Sequence, residues 1–178
     1  HIERRCRLLQ EQGKAGGWPS PACRYCTSDC KRDPISVAVR AEHLATVPSR
    51  VLVVSGERRE ESPRRAKLPE LEPHKRLTAG ARLVDWWHPI LDYRLGDVWE
   101  HIAATGLPRH VAYDRGNERL SCAICVLASD NDIRNGAAEC PDLAAHYLAI
   151  ERETGHTFRH GRRLADILSP IQGSLAAQ

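Results

Sequence analysis

The sequence predicts an α/β protein in which a small parallel sheet is flanked by helices. Residues 51–54 (VLVV) form a short, continuously apolar and β-branched run, which is typical of a buried parallel strand. Several longer segments instead show the apolar spacing of amphipathic helices. Because strands are few, we expect the sheet to be incomplete at the N-terminus, with its remainder upstream of His1.

Helix boundaries carry recognisable signals. Asp33-Pro34 is an N-cap followed by proline at the first helical position, and Gly106 and Gly155 each follow a helical pattern as C-terminal caps. The elements predicted in chain order are helix 2–12, helix 33–44, strand 50–55, an exposed charged segment at 57–76, strand 82–89, helix 95–105, a helix from 141 to 155 and a short helix around 164–168.

Composition excludes several classes of protein. The 178 residues suit one domain, and 26 basic against 23 acidic residues give a net charge of only +3, which excludes a histone-like basic chain. No apolar run approaches the roughly 20 residues of a membrane span, and no signal peptide is evident, so we expect a cytoplasmic protein without a membrane partner. The absence of methionine, even at position 1, suggests that the chain starts downstream of its translation start.

Cysteine spacing indicates a metal site. Seven is an odd number of cysteines, which argues against a fully paired disulfide framework, and a chain of 178 residues is too long to depend on one. Cys23 and Cys26 form one C-x2-C pair, and Cys122 and Cys125 form another, which resembles two halves of a four-thiolate site for zinc or an iron–sulfur cluster. Apolar neighbours of the second pair slightly favour a cluster. Cys30 and Cys140 are further candidates, and Cys6 is expected in the core.

The segment that follows the first strand is a candidate anion site, because ligands of open α/β sheets bind beyond the carboxyl ends of strands. Gly56 would let the backbone approach a ligand, and Arg58 and Arg65 would clamp phosphate or sulfate through bidentate hydrogen bonds. Glu61 would orient an arginine, and Ser62 would donate to an oxyanion. The alternatives are a solvated charged loop or a patch that contacts nucleic-acid phosphates.

Seven stretches, in this order, resemble the phosphoadenosine phosphosulfate (PAPS) reductase family of adenine-nucleotide α-hydrolase-like proteins over most of residues 18–160. No single stretch is diagnostic, but the ordered series is fairly specific, and it is nearest to the branch related to the sulfur-transfer protein of DNA phosphorothioation. The stretches are RYCTSD at 24–29, GERREESPRRA at 56–66, PILDY at 89–93, DVW at 97–99, GLP at 106–108, YDRG at 113–116 and RLSCAIC at 119–125.

The resemblance implies a HUP-type α/β fold that binds an adenine nucleotide, ATP or PAPS, and either reduces an activated sulfate or transfers sulfur after adenylation. A cysteine desulfurase or another sulfur donor is an implied partner, and DNA or tRNA is a further one. The nucleotide or sulfate site would comprise Gly56, Arg58, Glu61, Ser62 and Arg65. The resemblance further implies a 4Fe–4S cluster, with zinc as the alternative, on Cys26, Cys122, Cys125 and, as fourth ligand, Cys140, with Cys23 and Cys30 as competitors.

Two departures from the family bear on activity. The pyrophosphate-binding loop Ser-Gly-Gly-x-Asp-Ser is absent, so residues 1–178 are interpreted as a single PAPS reductase-like domain lacking that loop. The Glu-Cys-Gly-Leu-His tail is also absent, since the chain ends SLAAQ at 174–178, so no catalytic residue is assigned. The alternative functions are a non-catalytic zinc- or cluster-stabilised module that binds nucleic acid or a partner protein, and the inactive half of a split enzyme.

Overall fold

The computed structural model describes residues 1–169, so the tail at 174–178 lies outside the described residues. Two short 3-10 turns, Arg59–Glu61 and Arg65–Lys67, and a π-helical turn, Ser28–Arg32, accompany the longer elements. The helices are α1 (Ile2–Glu11), α2 (Tyr25–Thr27), α3 (Asp33–Glu42), α4 (Leu95–Thr105), α5 (Val111–Asp114), α6 (Asp130–Glu139), α7 (Pro141–Thr154) and α8 (Leu164–Leu168), and the strands are β1 (Ser49–Val54), β2 (Leu71–Pro73) and β3 (Arg82–Trp87).

The chain divides into two compact units. One unit combines His1–Cys30 with the chain from His110 onward, and the other is Lys31–Arg109. All three described strands belong to the second unit, which we call the sheet unit. All seven cysteines belong to the first, which we call the helical unit. Among the described residues, no helix is both long and apolar enough to cross a membrane.

The sheet has the strand order β1-β3-β2 and is mixed rather than purely parallel. β1 pairs in parallel with β3 from Ser49 opposite Arg82 to Val54 opposite Trp87, which confirms the α/β class and the predicted pair of strands. β2 runs antiparallel to β3. The sequence did not reveal β2, because its three residues lie inside the charged segment and depend on pairing with a distant strand.

The prediction that β1 is buried on both faces was wrong for the described chain. Alternate residues of β1 are exposed, and the side chains of Leu52 and Val54 remain more than half accessible. A continuous apolar run shows that both faces tolerate burial, but it does not show that both faces are covered. The other residues of β1 are half-buried, and the buried apolar residues of the sheet unit include Leu77, Val84 and Leu91.

The helical unit is built around α6, α7 and α8, which pack against one another, with α1 against α7. Its core includes the fully buried Ile133, Phe158 and Leu164. The Trp18 indole packs edge-on against Phe158 with ring centroids 5.1 Å apart, and its Nε1–H donates to the His156 carbonyl over 2.9 Å. This core fixes the helices that carry several of the cysteines.

Helix α6 was absent from the sequence prediction, although its first turn carries a capping signal. The Ser129 hydroxyl accepts a hydrogen bond from the Asp132 backbone N–H at the start of the helix. Gly136 lies in the helix interior, where glycine is unfavourable by about 1 kcal/mol relative to alanine, and this weakens the helical pattern. A close contact described below explains why glycine is present there.

Candidate functional site

The predicted anion-binding residues come together at the carboxyl end of the parallel strands in the sheet unit. Gly56 follows β1 directly, and the next backbone turn is held against the chain beyond β3, because the Arg59 N–H donates to the Leu91 carbonyl over 2.8 Å. A Cβ at Gly56 would meet Ile90 Cδ1 at 3.5 Å, an ordinary contact, so the position is open rather than crowded. The strand-end location therefore agrees with the rule for ligand sites in α/β sheets.

Arg58, Glu61, Ser62 and Arg65 form one hydrogen-bonded network. Glu61 Oε2 accepts from the Arg58 backbone N–H at 3.1 Å and lies 2.9 Å from Arg65 Nη1. The Arg58 guanidinium contacts Glu60 as well as Glu61, and only 13% of its side chain is exposed. The Ser62 hydroxyl accepts from the Arg65 backbone N–H at 3.2 Å. Glu61 thus orients both arginines, as the sequence suggested for one of them.

Three further residues of this network were missed by sequence reasoning. Arg59 donates to the carbonyl groups of Ala66 and Leu68 at 2.9 and 2.7 Å and so closes the loop. Glu57 Oε1 lies 3.3 Å from Arg65 Nε, and Glu57 Oε2 lies 3.2 Å from Nε2 of the fully buried His88. The signal for His88 was its place at the end of the predicted strand 82–89, at the same sheet edge as Glu57.

In the helical unit, Tyr147 lies near cysteines of both C-x2-C pairs. Burial raises the pKa of the Tyr147 hydroxyl, and the nearby thiols of Cys122, Cys125, Cys26 and Cys30 raise it further. Charge interactions weaken with distance, so these four thiols lie in the neighbourhood of this one hydroxyl. All seven cysteines are free thiols.

The remaining cysteines lie in different surroundings. Cys140 joins α6 to α7, where its N–H donates to the Gly136 carbonyl at 3.0 Å. Cys23 is exposed. Cys6 is completely buried, as predicted, and burial raises the pKa of its thiol to about 11.

Several contacts fix the turn that contains the second C-x2-C pair. An alanine Cβ at Gly136 would lie 1.6 Å from the carbonyl oxygen of Ala123, so glycine allows α6 to lie directly against this turn. Arg159 donates to the carbonyl groups of Val126, at 2.8 Å, and of Ala128. The turn is therefore anchored from both sides.

The thiols fit a thiolate-bound metal or cluster in donor chemistry but not as a ready-made cage. Cys125 packs against the apolar core beside the buried Ile124 and Val126, which would limit water access. Within residues 1–169, however, no three Cys, His, Asp or Glu side chains are assembled in a metal-binding arrangement. Any metal would have to draw the thiols of Cys26, Cys30, Cys122 and Cys125 closer together.

Comparison with known proteins decides the family. Residues 4–128 match the phosphoadenosine phosphosulfate reductase domain. The chain belongs to this family. Membership confirms the resemblance drawn from the sequence motifs and supports nucleotide binding and a place in sulfur metabolism.

Relatives of this PAPS reductase domain include characterised and uncharacterised proteins. It is 27% identical over 146 residues to an uncharacterised 37.8 kDa protein of Escherichia phage 186, covering 82% of this chain and 42% of that protein. It is 29% identical over 140 residues to an uncharacterised protein of Methanocaldococcus jannaschii, covering 79% of this chain and 32% of that protein. It is 29% identical over 133 residues to an adenosine 5′-phosphosulfate reductase of Neisseria meningitidis serogroup B, covering 73% and 49%.

The chain thus spans less than half the length of each of these relatives. No solved structure gives a significant match.

Proposed function

We propose that this PAPS reductase-like chain binds an adenine nucleotide in the sheet unit and takes part in sulfur transfer or sulfonucleotide processing, with a thiolate-ligated iron–sulfur cluster in the helical unit. The observation that carries the proposal is the network of Arg58, Glu61, Ser62 and Arg65 at the carboxyl end of two parallel strands. Its position is the one at which α/β sheets bind ligands.

The arginines supply the chemistry for the anionic part of ATP or PAPS. A guanidinium matches the oxygens of phosphate or sulfate through two parallel hydrogen bonds. Arg65 is 40% exposed and reaches solvent, whereas Arg58 is mostly buried. Arg65 is therefore the group proposed to meet the anion first, and Arg58, held by Glu61, the group that supports the loop.

The cluster is proposed on Cys26, Cys122 and Cys125, with Cys30 or Cys140 as the fourth ligand. The surroundings of Tyr147 support Cys30, whereas the place of Cys140 between two helices offers no such support. When bound, a 4Fe–4S cluster supplies electron transfer or an iron site for sulfur. A cysteine desulfurase or another sulfur donor, and DNA or tRNA as acceptor, remain proposals that follow from the family alone.

Nucleotide binding is tested by titration calorimetry with ATP and with PAPS. Arg65→Ala is expected to weaken binding about 10- to 100-fold, since hydrogen bonds to charged groups contribute about 1.5–3 kcal/mol. Arg50→Ala is the matched control, because Arg50 pairs only with Asp85 and is 79% exposed. Failure of the wild-type chain to bind either nucleotide, together with an equal loss of DNA affinity in Arg58→Ala and Arg65→Ala, would favour a nucleic-acid module instead.

The cluster is tested by iron and acid-labile sulfide analysis of protein purified without oxygen. The expected result is a brown protein that loses its iron in Cys122→Ser but keeps it in Cys23→Ser. Loss of iron in Cys30→Ser with retention in Cys140→Ser would identify the fourth ligand. A colourless protein with stoichiometric zinc would refute the iron–sulfur proposal.

A further inference from the structure

The arginines of the candidate site in the sheet unit are already paired with carboxylates. Arg58 contacts Glu60 and Glu61, and Arg65 contacts Glu57 and Glu61. An anion that draws Arg65 away from Glu57 leaves that carboxylate without its counter-ion, and an uncompensated carboxylate beside a bound phosphate or sulfate would repel it. Glu57 then needs a second cationic partner.

His88 lies directly behind the network and is completely buried. Its backbone follows β3, and its ring nitrogen Nδ1 lies 3.0 Å from the carbonyl oxygen of Pro69. A carbonyl oxygen only accepts hydrogen bonds, so Nδ1 must carry a proton. In a neutral imidazole, the other ring nitrogen, Nε2, then presents a lone pair.

That lone pair of Nε2 faces a carboxylate. Nε2 lies 3.2 Å from Glu57 Oε2, yet it makes no well-directed hydrogen bond to any group of the described chain. Two acceptors at this separation repel each other, and a buried polar atom without a partner is costly. A proton on Nε2 would turn the same contact into a charge-assisted hydrogen bond between imidazolium and carboxylate.

Glu57 lies within ion-pair distance of both His88 and Arg65. Its Oε1 lies 3.3 Å from Arg65 Nε, while the Ser55 hydroxyl donates to its Oε2 over 3.4 Å. Ser55 in turn accepts from the Trp86 indole N–H at 2.8 Å, which holds the hydroxyl in position. Glu57 can thus stay in place while its counter-ion changes from Arg65 to a protonated His88.

We propose that His88 and Glu57 form a proton-linked counter-ion pair: when the phosphate or sulfate of the nucleotide takes Arg65 from Glu57, His88 Nε2 takes one proton from solvent and becomes the new partner of Glu57. The inference rests on the proposed nucleotide site, and it makes His88 a positioning residue. No covalent bond forms or breaks, since the ligand exchanges one ion pair for another and the buffer supplies the proton.

The other charged or titratable groups near the pair are few. Arg65 and Glu61 face Glu57 from the two 3-10 turns, with Arg58 behind them. On the inner face of the sheet, the ring of His74 stacks on Trp86 at 5.4 Å, and Trp86 separates it from His88 at 4.8 Å. His74 is the other histidine that stacks on this indole, so it provides the matched control.

The test measures proton uptake during PAPS binding, by calorimetry in buffers of different ionisation enthalpy. His88→Asn keeps an amide donor for the Pro69 carbonyl but has no site for a proton, and His74→Asn is the control. Wild type and His74→Asn are expected to take up nearly one proton more than His88→Asn, whatever the ligand's own ionisation contributes. Relative to His88→Asn, the affinity of wild type should then fall as pH rises, by up to about tenfold per pH unit where binding takes up one proton more.

Glu57→Gln provides a second variant in case His88→Asn does not fold. Its amide can donate to Nε2, so the extra proton uptake should vanish while PAPS still binds. Equal proton uptake in wild type and in either variant would overturn the inference while leaving the nucleotide site intact. Absence of PAPS and ATP binding to wild type at every pH would overturn the inference together with the proposed function.

Discussion

Substitution of Gly136 by alanine tests how closely α6 approaches the second C-x2-C turn. Intrinsic helix propensity predicts that alanine stabilises this interior helical position by about 1 kcal/mol. The structure predicts the opposite, because the added Cβ would lie 1.6 Å from the Ala123 carbonyl oxygen and 2.5 Å from its carbon. An ordinary carbon–oxygen contact is about 3.3 Å, roughly twice that separation.

The backbone of the turn or of the helix must therefore move by well over 1 Å, because no flexible side chain is available to give way. Overpacking of this kind typically costs about 1–3 kcal/mol, and the gain in helix propensity offsets about 1 kcal/mol of it, so we expect a net loss of up to about 2 kcal/mol in the free energy of unfolding. Since Ala123 lies between Cys122 and Cys125, we also expect weaker iron retention.

Urea denaturation of the purified variant measures the first effect, and iron analysis measures the second. Gly96→Ala in α4 is the matched control, since a Cβ there meets nothing within 4 Å and stability should stay the same or rise slightly. If Gly136→Ala is as stable as wild type or more stable, then α6 does not lie against the turn and the reasoning fails.

Three further predictions concern the helical unit. Arg159→Ala is expected to lower the free energy of unfolding by about 1.5–3 kcal/mol, because the Val126 carbonyl loses a charged donor. Arg159→Lys keeps the charge but not the planar guanidinium, so urea denaturation should show a smaller loss in the free energy of unfolding. Cys6 should resist alkylation at about pH 8 in the native protein and react only after unfolding, since burial raises its pKa to about 11. Rapid labelling of Cys6 in the native protein, detected by mass spectrometry, would contradict its burial. Burial raises the pKa of Asp130, but the nearby Arg162 and Arg159 outweigh this effect, so the pKa is lowered overall. The carboxylate therefore stabilises the fold above its unfolded pKa, and this stability is lost as pH falls through the folded pKa. Asp130→Asn should accordingly lose less stability than wild type between about pH 5 and pH 2.

Local signals in the sequence predicted the elements that depend on local physics. Pro34 near the start of α3, Gly106 at the end of α4 and the β-branched run of β1 give the positions of these elements within a few residues. The prediction that Asp33 is the N-cap of α3 was wrong, because the helix begins at Asp33 and Arg32 is its N-cap. β2 depends on pairing with β3, and α6 carries an interior glycine that its own propensity disfavours. The exposed face of β1 shows the same limit, because an apolar run does not reveal what covers it.

The candidate site followed the same division. The spacing of Arg58, Glu61 and Arg65 within one loop predicted that they share a site, and the structure brings these side chains together. The contact between Glu57 and His88 could not be predicted from the sequence, because the two residues meet only through the parallel pairing of β1 with β3. The proposed ligand-contacting residues thus lie within one motif, whereas the contact with His88 depends on a strand that is distant in the sequence.

The distribution of the two candidate sites makes a last prediction possible. Every contact of the arginine network lies within Lys31–Arg109, whereas all the cysteines lie in the helical unit. Nucleotide affinity should therefore survive Cys122→Ser within about twofold, while iron content falls, and Arg65→Ala should show the reverse. Cys23→Ser, a change at an exposed thiol, should alter neither. If Cys122→Ser abolishes PAPS binding although the variant keeps the circular dichroism spectrum of the wild type, then the thiols contribute to the nucleotide site itself. The assignment of the site to the arginine network alone would then be wrong.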